Sequence, residues 1–207
     1  MKKSPIAQTI YLIFFSFLMS VFSTVKADHN HVKVYDQSNP TVFITGSNRG
    51  IGLALVRNYA IKGWNIIATC RSPERANDLN KLLGDYPNIL IEQLDVTDLD
   101  EIESLARKYE GVAIDVLINN AGILGDVEAQ TFGSLSQSTF EKVMAVNAYG
   151  PLKVAEAFSD NVALSKQKKI VSMTSGLGSM QITGNTDRFY FYRMSKAALN
   201  MGVIAMN

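Results

Sequence analysis

From Thr41 onward the chain alternates short runs rich in β-branched apolar residues with longer stretches whose apolar positions recur at helical spacing. The runs predict strands at Thr41–Thr45, Asn65–Thr69, Ile89–Gln93, Val116–Asn119 and Lys169–Met173. Helices are predicted at Ile51–Lys62, Pro73–Leu83, Leu99–Tyr109, Thr139–Leu164 and from Tyr190 to the end. Start signals agree, because Pro73 falls at a first helical position and Thr97-Asp98 precedes the helix at Leu99. The strands are mostly apolar, and each connection is long enough for a crossover helix, so the strands should run parallel with helices on both faces. The expected fold class is α/β, a doubly wound parallel sheet of the Rossmann type in three αβα layers.

Before Thr41 the pattern changes. Met1-Lys2-Lys3 is followed by an uncharged apolar run, densest from Ile10 to Phe22, and then by Val25-Lys26-Ala27 with small residues at its first and third positions. This is the layout of a secretory signal peptide cleaved after Ala27, which implies export. As a helix the dense part spans about 20 Å, short of a bilayer's ~30 Å core. Counted from Ile6 the run is longer, and an uncleaved segment would be an N-terminal membrane anchor; a start codon assigned too early would instead leave the protein cytoplasmic. Residues 28–40 read as a polar linker, whose His29 and His31 lack a third ligand and are read as solvated.

Composition narrows the classes further. Twenty Lys+Arg against nineteen Asp+Glu leave a formal charge of +1, so there is no basic footprint for a nucleic-acid partner. Loss of Lys2, Lys3 and Lys26 with the leader would make that charge −2. With 207 residues and 47% hydrophobic positions, the chain can build one core and not two. The lone Cys70 excludes an internal disulfide or a paired-cysteine metal site, and reads as a small apolar filler.

Candidate chemistry begins where the first strand runs into Thr45-Gly46-Ser47-Asn48-Arg49-Gly50-Ile51-Gly52 and the first helix. Glycines there permit a tight turn and close backbone approach, and the helix N-terminus favours the pyrophosphate of a dinucleotide. An acidic residue at the end of the second strand would select NAD, but this chain reads Thr69-Cys70-Arg71-Ser72. Arg71, with Arg49 in the turn, suits the 2′-phosphate of NADP, so NADP is expected ahead of NAD.

The chain resembles the single-domain short-chain dehydrogenase/reductases. TGSNRGIG at 45–52 matches the family's glycine motif, and Leu94-Asp95-Val96-Thr97 resembles its adenine-contacting segment. Asn119-Asn120-Ala121-Gly122 matches its NNAG signature, Asn147 its helix asparagine, Ser175 its serine and Tyr192-Arg193-Met194-Ser195-Lys196 its YxxxK. The segments 172–179 and 192–200 look most like the C-factor-like or sniffer-like carbonyl reductases. The resemblance implies cofactor contacts at residues 46–52, Arg71, Asp95, Val96, Asn119, Asn120, Ala121, Gly122, Tyr192 and Lys196. It also implies a catalytic set of Asn147, Ser175, Tyr192 and Lys196, with Asn147 supporting a water that relays protons to Lys196. Family members often dimerise through the helices around Asn147 and Tyr192, so a homo-oligomer is a further expectation.

The residue types suit that chemistry. A spacing of four puts Tyr192 and Lys196 on one helix face, where the ammonium favours the phenolate. Ser175 lies just past the fifth strand, at the carboxyl edge where α/β sheets bind ligands. Local readings stand beside these: Ser175 as a turn cap, Asn120 as a link between strands, and Asn147 as a donor to carbonyls freed where Gly150-Pro151 interrupts the helix.

The resemblance spans Thr41 to Asn207, the N-terminal part of the family's domain, and the chain is expected to lack the later strands. Two functions follow. One is an NADP-dependent oxidoreductase acting on a small carbonyl or alcohol; the other is a truncated, non-catalytic nucleotide-binding or interaction protein.

Overall fold

The computed structural model describes residues 36, 38–181, 184 and 187–206. The expected leader or anchor at 1–27, and the His29/His31 pair, lie outside the described residues, as does most of the linker.

Five strands form one parallel sheet: β1 (Thr41–Ile44), β2 (Asn65–Cys70), β3 (Ile89–Gln93), β4 (Val116–Asn119) and β5 (Lys169–Ser172). Their spatial order is β3-β2-β1-β4-β5, with Val42 facing Ile66 on one side and Val116 on the other. β1 and β2 are buried at every position, which is why they read as unbroken apolar runs rather than alternating ones. The chain order reverses between β1 and β4, and at such a point the loops beyond the two carboxyl ends diverge and leave a crevice.

Helices cover both faces. Val56 and Ala60 of α1 (Gly50–Ile61) pack with Val42, Ile44, Ile66 and Ile118 in one core. On the other face Phe43 meets Phe158, ring centroids 4.5 Å apart, among the buried side chains of Ile102, Leu105, Leu117 and Val154. Ile102 and Leu105 come from α3 (Leu99–Lys108), where the Asp98 side chain accepts the Glu101 N–H at 3.0 Å as an N-cap.

Two expected helices differ. The stretch Pro73–Leu83 becomes a 3₁₀ turn at Pro73–Arg75, a single helical turn α2 (Asn77–Asn80) and a second 3₁₀ turn at Lys81–Gly84. Ala76, at ψ 58°, leaves the helical region, and the Pro73 carbonyl accepts both the Ala76 N–H at 3.1 Å and Asn80 Nδ2 at 2.7 Å. The stretch Thr139–Leu164 divides into α4 (Gln137–Met144), a π turn at Ala145–Tyr149, α5 (Gly150–Ala157) and α6 (Ser159–Leu164). Gly150-Pro151 therefore does not end the helix. Pro151 brings no N–H to the Asn147 carbonyl, and the preceding turn widens instead. A Cβ on Gly150 would lie 2.6 Å from the Val96 carbonyl oxygen, so the glycine is set by that close approach. The last helix is α7 (Tyr190–Ala205).

Candidate active site

A cleft of about 610 Å³ opens at the carboxyl ends of β1, β2 and β4. The glycine turn forms its floor. Gly46 has φ +67°, and a Cβ there would sit 2.9 Å from Ala121 Cα. A Cβ on Gly52 would sit 2.2 Å from the Gly46 carbonyl oxygen. Gly50, at φ +55°, has nothing within 4 Å of its Cβ position and leaves the floor open. No side chain caps α1, and no acidic residue occupies its first turn, so its first N–H groups remain for an anion.

The two sides of the cleft are joined at Thr45. Its Oγ1 accepts the N–H groups of Asn120 and Ala121, each at 3.0 Å. Asn120 Nδ2 returns two bonds, to the carbonyls of Thr45 (2.9 Å) and Gly46 (3.0 Å). Asn120 thus both links the strands and lines the cleft.

Of the residues expected at a cofactor, Gly46, Asn48, Arg49, Gly50, Ile51, Gly52, Arg71, Asp95, Val96, Asn120, Ala121 and Gly122 line this cleft. Tyr192 and Lys196 stand outside it, and so do Ser47 and Asn119. Ser47 is fully buried, its N–H donating to Thr69 O at 2.8 Å and its Oγ to Ile44 O at 2.8 Å. The Asn119 amide is also buried and donates to Pro151 O at 3.0 Å, tying β4 to α5. Both hold the walls from behind.

Charge in the cleft is mostly positive. Arg49, Arg71, Arg75 and Lys142 line it against the single carboxylate of Asp95, which already accepts from Thr97 N and Oγ1 at 2.9 and 2.7 Å. Cys70 forms part of the wall; burial pushes its thiol pKa up and keeps it neutral. A glycine cradle, open helix N–H groups and flanking guanidiniums together fit the phosphates of a dinucleotide.

Beyond Gly122 lies the expected catalytic group. Tyr192 and Lys196 stand one turn apart on α7, with Lys196 Nζ 5.9 Å from the Tyr192 ring centroid. Lys196 is only 5% exposed and donates to the Met173 carbonyl at 2.7 Å. Burial lowers its pKa, and no carboxylate among the described residues pairs with it. A Cβ built on Gly122 would lie 3.3 Å from Asn147 Oδ1 and 3.7 Å from Lys196 Nζ, so these three positions converge.

Asn147 is fully buried in the π turn. Its side chain exchanges two bonds with the Ile123 backbone and gives a third to Ser195 Oγ at 3.0 Å; none goes to a freed helix carbonyl. Ser175 does cap the turn at Gly176–Gly178, accepting the Leu177 N–H at 3.2 Å, and its hydroxyl hydrogen remains to donate elsewhere. That turn is seated on α7, because a Cβ on Gly178 would lie 2.8 Å from both the carbonyl carbon and Cβ of Lys196.

Sequence reasoning missed Arg75 and Lys142 at the cleft, Ser195 beneath Asn147, and Gln130, whose Oε1 accepts the Tyr192 N–H at 2.9 Å. The basic character of Arg75 was a readable signal; Gln130 carries none. Among the described residues no cluster of three or more His, Cys, Asp or Glu is placed to hold a metal, and no helix is long and apolar enough to cross a membrane.

This geometry has close counterparts. The profile of the short chain dehydrogenase family matches residues 40–207. An uncharacterized oxidoreductase of Schizosaccharomyces pombe is 33% identical over 174 residues, covering 79% of this chain and 64% of its own length. A short-chain dehydrogenase/reductase from Burkholderia multivorans with bound NADP superposes with a TM-score of 0.73 at 32% identity, over 81% of this chain and 72% of that one. The carbonyl reductase Sniffer of Drosophila melanogaster superposes with a TM-score of 0.70 at 29% identity, over 81% of this chain and 74% of that one. The doubly wound sheet, the glycine cradle and the family match together place the chain in the short-chain dehydrogenase/reductase family.

Proposed function

We propose that the protein is an NADP-dependent oxidoreductase that interconverts a small carbonyl compound and its alcohol. The observation that carries this reading is the continuity of the site: the arginine-lined cleft runs to Gly122, and Gly122 faces both Asn147 and Lys196. Gly46 and residues 48–52 would hold the diphosphate and Arg71 with Arg49 the 2′-phosphate, while Asp95 and Val96 lie where the adenine end would rest. The NADP bound to the Burkholderia relative supports the same choice. When bound, the nicotinamide supplies or accepts the hydride.

The chain's own groups handle the proton. Ser175 Oγ–H donates to the substrate oxygen and orients it, and the Tyr192 hydroxyl gives that oxygen its proton in the reductive direction. Lys196, buried beside the Tyr192 ring, places a positive charge that favours phenolate once the proton has left. Asn147 fixes the loop at Ile123 beside the lysine.

The test is carbonyl-dependent oxidation of NADPH across a panel of aldehydes and ketones, with Tyr192→Phe in parallel. Turnover that Tyr192→Phe reduces by about a thousandfold or more supports the reading. NADPH binding with no turnover on any carbonyl or alcohol would instead favour a nucleotide-binding protein.

A further inference from the structure

Helix α7 begins without a local cap. Phe189, its N-cap residue, has φ +61° and makes no side-chain capping bond. The N–H of Tyr192, third in the helix, is one of the groups that a helix leaves without an internal partner. Gln130 supplies that partner from 62 residues away, its Oε1 accepting at 2.9 Å. Gln130 is fully buried, and both of its amide hydrogens are used as well, on the carbonyls of Leu124 (2.8 Å) and Asp126 (3.1 Å).

The loop is folded around this amide. Gly125 has φ +83°, and a Cβ there would lie 3.2 Å from Gln130 Nε2 and 2.6 Å from Val143 Cγ2. Ile123 at the loop's start lines the cleft and is held by Asn147. Asn147 also binds Ser195 Oγ, and Ser195 Oγ donates to the Tyr192 carbonyl at 2.8 Å. Both backbone groups of Tyr192 are therefore gripped by buried side chains, the N–H by Gln130 and the C=O by Ser195.

We propose that Gln130 is a positioning residue of the reaction, a tertiary cap that fixes Tyr192 relative to the loop following the NNAG segment. The inference rests on the assignment of Tyr192 as the proton donor. Its two ends do separate things: the acceptor end sets the height of Tyr192 in the site, and the donor end sets the loop that begins at Ile123. A misplacement on the order of 1 Å at a reacting group costs about a hundredfold in rate.

Gln130→Met keeps the volume and removes both ends, whereas Gln130→Glu keeps an acceptor for Tyr192 and removes the donation to the loop. Amide hydrogen exchange, steady-state kinetics and NADPH titration are measured for both variants, with Tyr192→Phe alongside. Gln130→Met is expected to speed exchange at Tyr192 about tenfold or more, and to lower kcat by at least about tenfold. NADPH affinity should stay within about twofold, since the glycine cradle is untouched. Gln130→Glu should retain Tyr192 protection and kcat to within about threefold while raising KM. Unchanged exchange at Tyr192 in Gln130→Met overturns the cap, and this readout needs no turnover. Equal loss of kcat in both variants, with exchange faster throughout the chain, overturns the positioning role in favour of general loosening. Turnover that survives in Tyr192→Phe sinks the assignment of Tyr192 itself and the catalytic role of Gln130 with it. Loss in Tyr192→Phe with a wild-type kcat in Gln130→Met sinks the positioning role alone.

Discussion

Asn147 pairs with Ile123 as one strand residue pairs with another: its Oδ1 accepts the Ile123 N–H at 2.8 Å, and its Nδ2 donates to the Ile123 carbonyl at 2.7 Å. The amide stands in for a neighbouring backbone in a segment with no sheet partner. Asn147→Ala strips both partners in a buried site, and each deserted group costs about 1–3 kcal/mol. The expected result is a loss of about 2–4 kcal/mol in urea unfolding, together with reduced turnover. An unfolding midpoint equal to wild type would refute the pairing.

Lys196 has its pKa lowered from 10.5 by burial. The unfolded chain then holds this proton more tightly than the folded chain does. Between the lowered value and 10.5 the unfolded state binds more protons, so this residue's contribution to stability rises with pH. Below that window the burial cost is fully present. Lys196→Met should abolish turnover yet leave neutral-pH stability equal or slightly higher, because the stranded Met173 carbonyl offsets part of the gain. It should also flatten stability against pH on the alkaline side. Parallel slopes for the two proteins in urea midpoints from pH 7 upward would contradict this assignment.

Arg71 lines the cleft at the end of β2, where an acidic side chain would instead favour NAD. Replacement by serine should weaken NADPH binding about tenfold to a hundredfold, the worth of a charged hydrogen bond, and leave NADH binding unchanged. Fluorescence titration with both nucleotides measures the difference. Equal weakening of the two would place Arg71 away from the 2′-phosphate.

The glycines of the cradle should respond differently to alanine. At Gly52 the added carbon meets the Gly46 carbonyl oxygen at 2.2 Å and Asn120 Nδ2 at 2.6 Å, so binding should be lost and stability reduced by about 1–3 kcal/mol. Gly50→Ala meets no atom within 4 Å, and its cost is the left-handed backbone, about 1–2 kcal/mol. Comparing NADPH affinity with the unfolding midpoint for each variant tests this. Comparable losses of affinity would mean that steric contact is not what fixes Gly52.

The inner strands β1, β2 and β4 were legible because burial on both faces leaves an unbroken apolar run; β3 and β5 are more exposed at the sheet's edges but keep β-branched residues, and all five fall within a residue of their expected ends. The broken helix at 73–84 was not, because Ser72-Pro73 signals a start while the Asn80 side chain reaches back to the Pro73 carbonyl and Ala76 leaves the helical region. Positions 46–52 and 119–122 could be read from the sequence because each motif is short and continuous. Even so, the inward turn of Ser47 and Asn119 could not, since a motif names positions and not directions. Gln130 left no trace, because its partner is 62 residues away and a lone glutamine in a loop matches no period.

The hydroxyl of Thr45 has one more consequence. It spans the gap between β1 and β4, where the sheet reverses its order, and with Asn120 it sets the width of the crevice through four bonds within the chain itself. A dinucleotide arriving there finds walls already at working distance. Little of its binding energy is diverted into ordering the protein, and more remains for holding the ligand.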